Sequence, residues 1–155
     1  MSEKERLKIA LVCSHGGHLT EMKALWPALS GHDCFLISYR CERTENLTLV
    51  SRKYLLDNIG KNVWRMAKAF VKAALILMRE RPDVVLSTGS EIAIPFSWVG
   101  KLLGAQVVYI EGVARVRTRS GTGPLVYPVA DLFLVQWPGL LDLYGPKARY
   151  EGGLI

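Results

Sequence analysis

Short, nearly uninterrupted apolar runs recur along the chain, at residues 9–13, 33–39, 83–88, 106–110 and 132–135, and turn-forming or polar residues follow most of them. Runs of this length and composition suit strands covered on both faces, the environment of a parallel sheet. Between them the period changes. Leu19, Met22, Leu25, Trp26 and Leu29 recur at helical spacing and predict a helix over residues 20–29, closed by Ser30-Gly31. Residues 62–80 carry the longest helical pattern, stopped by Pro82; residues 92–103 carry another, closed by Gly104, and shorter ones cover residues 124–129 and end at Tyr144. Over residues 40–58 the pattern dissolves into a loop, with Tyr54-Leu55-Leu56 as a brief strand. Strand–loop–helix units in this order predict an α/β fold, a Rossmann-like parallel sheet with helices on both faces. No internal repeat or low-complexity segment interrupts it, and the 155 residues read as one domain.

Parallel sheets bind ligands outside the carboxyl ends of their strands. Those ends carry Ser14-His15-Gly16-Gly17-His18, then Thr88-Gly89-Ser90-Glu91, then Glu111-Gly112. A buried strand that ends in glycines and turns into a helix aims backbone N–H groups at whatever sits above the turn, which favours an anion. Paired Gly16 and Gly17 are not the full dinucleotide fingerprint, and no Lys-Ser/Thr follows them as in a Walker A loop. A tight turn needing glycine only for its backbone is the competing reading.

Charge narrows the partners. A formal net charge of +6 and a pI near 9.4 favour phosphate-bearing ligands, an anionic membrane face or nucleic acid. On the helix over residues 62–80, the positions Lys61, Arg65, Lys68, Lys72 and Arg79 fall within a wedge of about 80° at roughly 100° per residue. Nearly everything else on it is apolar, with Trp64 and Phe70 placed to face lipid. An ordinary solvent-facing basic stripe is the alternative. Cys13, Cys34 and Cys41 have no C-x-x-C spacing and read as free thiols of a reducing compartment. The polar start runs straight into the first strand without a signal peptide, and no run is long enough to span a bilayer.

Taken together in order, several motifs resemble a known family. They are Ser14-His15-Gly16-Gly17-His18-Leu19-Thr20-Glu21-Met22, Pro82-Asp83-Val84-Val85-Leu86-Ser87-Thr88-Gly89, Val108-Tyr109-Ile110-Glu111-Gly112 with its following arginines, and Ala130-Asp131-Leu132-Phe133-Leu134-Val135-Gln136-Trp137-Pro138. The last, followed by Tyr144, Pro146-Lys147-Ala148 and Tyr150-Glu151-Gly152, is the most specific. The chain resembles the acceptor-side subunit of the split glycosyltransferase that adds the second N-acetylglucosamine to a dolichol-linked sugar, and its bacterial relatives in exopolysaccharide synthesis. The peptidoglycan N-acetylglucosaminyltransferase looks like a fused version. The resemblance implies the N-terminal half of a GT-B glycosyltransferase, paired in a heterodimer with a donor-binding subunit that holds most of the UDP-sugar site. It implies a subunit inactive without that partner, which binds a polyprenyl-pyrophosphate-linked sugar acceptor. The place implied is the cytoplasmic, inner face of the plasma membrane, as a peripheral protein. Eukaryotic members carry an N-terminal transmembrane anchor, whereas this sequence starts at its first strand. That moves the expected membrane contact to Lys61, Trp64, Arg65, Lys68, Phe70 and Lys72, and favours a bacterial origin with an undecaprenyl-type carrier.

On this reading Ser14, His15, Gly16, Gly17, Arg115 and Arg117 take the acceptor pyrophosphate, and Gly89, Ser90 and Glu91 the acceptor sugar. Glu111 and His18 are the catalytic candidates: Glu111 as base or sugar ligand, His18 as phosphate donor or base. Each has an alternative: a salt bridge from Glu111 to Arg115 or Arg117, a helix cap for Glu91, solvated loop charge for Arg115, Arg117 and Arg119, which would share one side if extended. His15 and His18 lack a third metal ligand, and neither metal nor cofactor is expected. Two rival classes stay open. A stand-alone nucleotide-binding Rossmann enzyme would want an intact fingerprint. A nucleic-acid module would want a recognisable motif, and none accompanies the charge.

Overall fold

The computed structural model describes residues 5–155. In chain order the elements are β1 (Lys8–Val12), α1 (Gly17–Ala24), α2 (Trp26–Leu29), β2 (Asp33–Tyr39), α3 (Glu42–Glu45), β3 (Lys53–Leu56), α4 (Val63–Glu80), β4 (Val84–Ser87), α5 (Ala93–Leu102), β5 (Gln106–Ile110), α6 (Gly123–Val126), β6 (Leu132–Val135), a 3₁₀ turn (Pro138–Leu140), α7 (Leu141–Tyr144) and β7 (Ala148–Tyr150). The strands form one seven-stranded sheet in the order β3-β2-β1-β4-β5-β6-β7. Every pairing is parallel. The chain reverses its direction of travel across the sheet between β1 and β4, so the crevice between those strands is the topological switch point.

Strand side chains alternate between two cores. Ile9, Leu11, Cys13, Leu36 and Leu86 meet Leu19 and Met22 of α1 on one face. Ala10, Val12, Phe35, Ile37 and Val85 meet α4 and α5 on the other. A third cluster joins α5 and α6 to Val107, Tyr109, Phe133 and Val135. Because both faces are covered, the strands are apolar throughout rather than alternating.

The helices depart from expectation where proline and small residues act. The helix expected over residues 20–29 begins earlier, at Gly17, and breaks at Leu25 into α1 and α2. Pro27 has no N–H to continue the ladder, so a new helix starts with proline in its first turn. Asn62 caps α4, its side chain accepting from the Arg65 N–H at 3.0 Å. The helix ends at Arg81, which adopts a left-handed φ of 50° ahead of Pro82. Its buried stripe is Ala69, Ala73 and Leu77, small enough to let α5 approach. Where α5 packs on β4, a Cβ on Gly100 would stand 2.6 Å from Val85 Cγ2, so the glycine is required by space. Tyr144 ends α7, and the chain then adds β7, a strand the apolar pattern did not announce.

Candidate functional site

A cavity of about 770 Å³ opens at the carboxyl ends of the strands, at the switch point. Gly17 and His18 of α1 line it, with Ser90 and Glu91 after β4, Glu111 after β5, Arg115 on the following loop and Lys61 ahead of α4. Of the residues expected there, Ser14, His15, Gly16, Gly89 and Arg117 are not on its wall. Ser14 and His15 lead into the turn, and the His15 ring stands edge-on to Tyr39 with ring centres 6.3 Å apart.

The glycine turn is braced from outside. Arg43 Nη1 donates to the carbonyls of His15 and Gly16, each at 3.2 Å, and its Nη2 donates to Thr20 Oγ1 at 2.7 Å. A Cβ at Gly16 or Gly17 would meet nothing within 4 Å, so neither glycine is demanded by packing. They leave open space in front of the N-terminal N–H groups of the eight-residue α1, the place an anion would occupy.

His18 is held by an exchange with β4. Its Nδ1 lies 2.8 Å from the Thr88 carbonyl, and Thr88 Oγ1 donates to the His18 carbonyl at 2.6 Å. A carbonyl only accepts, so Nδ1 carries the proton and a neutral ring presents Nε2 as a bare acceptor. The ring presses on Gly89, where a Cβ would lie 2.8 Å from its Cε1, and the φ of +124° there independently demands glycine. Gly89 therefore seats the histidine. Beside it Ser90 adopts a φ of +76°, an uncommon conformation for a side-chain-bearing residue and one that clusters at functional sites.

Glu91 does not cap α5 with its side chain. It accepts from Tyr39 at 2.9 Å and Ser90 Oγ at 2.8 Å. Burial works against its charge, yet hydrogen bonds led by its own N–H and Ser90 hold its carboxyl below the usual range. It stands ionised at the cavity wall.

Glu111 is 1% exposed, and its carboxylate is already engaged. Oε2 accepts from Ser120 N at 3.2 Å, from Ser120 Oγ at 3.0 Å and from the Tyr144 hydroxyl. Oε1 accepts from Gly112 N at 3.3 Å, with the Tyr109 hydroxyl further off. Neither Arg115 nor Arg117 forms an ion pair with it among the described residues. This carboxylate ties the loop over residues 113–122 to the sheet. That loop turns and bends rather than extending, so Arg115, Arg117 and Arg119 do not form one side of a strand. Arg115 reaches the cavity, and all three are exposed.

A second buried carboxylate, Glu21 at 3% exposed, holds the loop's other end. It accepts from Val113 N at 3.0 Å and Gln136 Nε2 at 3.2 Å, while Gln136 also donates to the Glu111 carbonyl at 3.0 Å. Burial raises the Glu21 carboxyl, and the Val113 N–H draws it partly back. Sequence reading missed Glu21, Arg43, Gln136 and Tyr144. For Glu21 a signal existed: it follows His18 by three residues, on the same helical face, beside the core position Met22.

The surface of α4 differs from expectation in part. Trp64 is 80% exposed, and Val71, Leu75 and Met78 point outward with it, whereas Phe70 is partly buried. By helical geometry these outward residues lie opposite the buried Ala69–Ala73–Leu77 stripe, which fixes the rotation of the helix. Arg65, Lys68 and Lys72 line a smaller cavity of about 290 Å³ against residues 56–59. Lys61 turns toward the large cavity instead. No helix among the described residues is long and apolar enough to cross a membrane.

This architecture is shared with solved structures. MurG of Acinetobacter baumannii superposes with a TM-score of 0.72 at 17% identity, over 94% of this chain and 46% of that one. UDP-GlcNAc 2-epimerase of Methanocaldococcus jannaschii, solved with UDP-GlcNAc and UDP, does so at 0.73 and 16%, over 95% and 47%. The chain thus spans just under half of each, and its fold is that of the N-terminal half of a GT-B glycosyltransferase.

Residues 51–154 match the family described as "Oligosaccharide biosynthesis protein Alg14 like", and the chain belongs to it. Curated relatives are the UDP-N-acetylglucosamine transferase subunits ALG14 of rat, 35% identical over the whole chain and 86% of that protein, and of human, 27% identical over the same shares. The subunit of Saccharomyces cerevisiae is 26% identical over 99% of the chain and 79% of its own length. These relatives are eukaryotic, so the bacterial origin expected from the sequence finds no support in them.

Proposed function

We propose that the chain is the acceptor-side half of a two-chain transferase that moves N-acetylglucosamine from UDP to a polyprenyl-pyrophosphate-linked sugar. The observation that carries this reading is the convergence of Gly17, His18, Ser90, Glu91 and Arg115 on one cavity at the switch point of a half GT-B fold. The pyrophosphate of the acceptor lies against the N–H groups at the start of α1, opposite Arg115 and Lys61. Ser90 and Glu91 receive the hydroxyls of the acceptor sugar. Its attacking hydroxyl oxygen bonds to the donor sugar's anomeric carbon as the bond from that carbon to UDP breaks, and the hydroxyl proton passes to His18 Nε2. Glu111, for which the sequence offers base, sugar ligand or salt bridge, serves on this reading to fix the loop. Electrostatic stabilisation of the departing UDP comes mainly from a donor-binding partner chain.

The outward row Trp64, Val71, Leu75 and Met78, flanked by Lys68, Lys72 and Arg79, rests on the cytoplasmic face of the membrane that carries the acceptor. Apolar side chains enter the interface while the basic flank meets anionic headgroups.

The test is transfer from UDP-N-acetylglucosamine to a polyprenyl-pyrophosphoryl-N-acetylglucosamine acceptor, in membranes holding this chain, its donor-binding partner, or both. Activity only with both is expected. Full activity of the partner alone would overturn the proposal.

A further inference from the structure

The loop over residues 113–122 carries three exposed arginines, yet both of its ends are fixed by buried groups. At the start, Glu21 accepts from Val113 N, and Trp137 Nε1 donates to the Val113 carbonyl at 2.6 Å. At the finish, Glu111 takes both donors of Ser120, and Ser120 Oγ in turn accepts from Gly123 N at 2.8 Å. The Tyr144 hydroxyl closes this second attachment from α7, beyond β6. Its fit is close. A Cβ on Gly123 would lie 2.7 Å from Glu111 Oε2 and would also run into the Tyr144 hydroxyl, so the glycine admits the tyrosine. The Tyr144 ring is itself fixed, stacked on Tyr127 at 5.8 Å and tilted against Phe133 at 4.5 Å between ring centres. Glu21, Glu111, Val113 and Ser120 also line the cavity, while none of the three loop arginines is consumed by these contacts among the described residues.

We infer that Tyr144, acting through Glu111 and Ser120, is a positioning residue: a latch that sets where Arg115 stands over the cavity and so how well the site holds a pyrophosphate group. The inference rests on the reading of the cavity as a pyrophosphate-linked acceptor site. The hydroxyl does two things. It completes the shell of donors around a buried carboxylate that has no ion pair among the described residues, and it joins the far edge of the sheet to the loop. Without it the Glu111 carboxyl loses a donor, and Ser120 loses the fixed acceptor that holds the loop's end. A loop freed at one end samples more positions, and Arg115 must then be ordered by the ligand at a cost to affinity.

Two measurements on the purified chain test the latch. Tryptic cleavage at Arg115, Arg117 and Arg119 reads the freedom of the loop directly, and Tyr144→Phe should accelerate it by about tenfold, in line with the loss of one hydrogen bond to a charged group. Titration with inorganic pyrophosphate, and separately with farnesyl pyrophosphate, reads the consequence. Tyr144→Phe should weaken binding of each by about five- to tenfold, Arg115→Ala by at least as much, and the double variant no more than Arg115→Ala alone. Ser120→Ala should repeat the pattern of Tyr144→Phe from the other side of the carboxylate, and serves where the tyrosine variant folds poorly. Unchanged cleavage in both variants overturns the latch. Faster cleavage with effects that add to those of Arg115→Ala overturns its action through Arg115. Loss of pyrophosphate binding in neither Arg115→Ala nor Tyr144→Phe overturns the underlying reading of the cavity, whatever the loop does.

Discussion

The two ends of the sheet each hold a cavity and a buried carboxylate, and they treat the carboxylate in opposite ways. At the amino end Glu80, 7% exposed, sits among cations: Lys8 at 2.9 Å and Arg52 at 3.2 Å, with Tyr54 donating at 2.6 Å. Arg52 also reaches Asp33 at 3.0 Å, closing a network across β1, β2, β3 and α4. At the carboxyl end Glu111 is surrounded by hydroxyls and backbone N–H groups, and the nearby arginines stay on the exposed loop. The cavities are similar in volume, about 770 Å³ at the carboxyl end and about 680 Å³ at the amino end, so size does not separate them. The use of charge does. Cations spent on Glu80 serve stability, whereas the loop arginines near the cavity, unpaired among the described residues, remain available to an anionic ligand.

The comparison is sharpened most by removing the two carboxylates in turn. Glu80→Ala leaves Arg52 and Lys8 without their shared partner and should cost about 3 kcal/mol in urea unfolding, moderated by the partial exposure of both cations. Transfer activity per folded molecule, assayed with the partner chain, should stay within about twofold, since the change lies at the opposite end of the sheet from the cavity. A larger stability loss from Glu111→Gln than from Glu80→Ala would break the comparison.

Acid makes the same point without a mutation. Burial opposes the Glu80 charge, but hydrogen bonds from Tyr54, Lys8 and Arg52 outweigh it and bring its carboxyl from 4.5 down to about 2. A carboxyl lowered on folding contributes stability that is present above its unfolded value and is lost as pH falls toward the folded one. Urea midpoints should therefore drop between about pH 4.5 and pH 2, and Glu80→Gln should flatten that segment of the curve.

Glu111→Gln should show the converse profile: about 1–2 kcal/mol of stability lost, because an amide keeps one acceptor, but transfer activity reduced by tenfold or more as the arginine loop shifts. Smaller still is Ser90→Gly. Relief of its left-handed φ should raise stability by about 1 kcal/mol while lowering acceptor affinity, a trade expected of a strained binding residue. Least of all, Gly17→Ala should alter unfolding by under about 0.5 kcal/mol, since the new Cβ meets nothing, yet it enters the space proposed for the pyrophosphate. An acceptor KM unchanged in Gly17→Ala would remove that turn from the site.

The parts of this arrangement readable in sequence are those governed by local pattern. Five of the strands declare themselves because a sheet buried on both faces makes its strands uniformly apolar, and β3 shows through the loop as Tyr54-Leu55-Leu56. The position of the candidate site is read from the same topology, because parallel strands put all their carboxyl ends on one side. What did not show is contact across distance. Tyr144 lies 33 residues from Glu111, and Gln136 lies 115 from Glu21, so no window of sequence contains either pair. Arg43, in the loop where the pattern dissolves, reads as a surface charge until its reach to His15 and Gly16 is known. Phe70 was misplaced by a smaller error: its apolar character is plain, but only the buried Ala69–Ala73–Leu77 stripe fixes the rotation of α4, and that rotation turns Val71, Leu75 and Met78 outward.

Hydrogen–deuterium exchange of the chain, with and without a polyprenyl-pyrophosphoryl-N-acetylglucosamine acceptor in vesicles, would locate the acceptor directly. The account predicts added protection at residues 16–19, 89–92 and 113–121, around the cavity at the carboxyl end. Protection confined to residues 77–83 and 100–105, which line the cavity at the amino end, would contradict it.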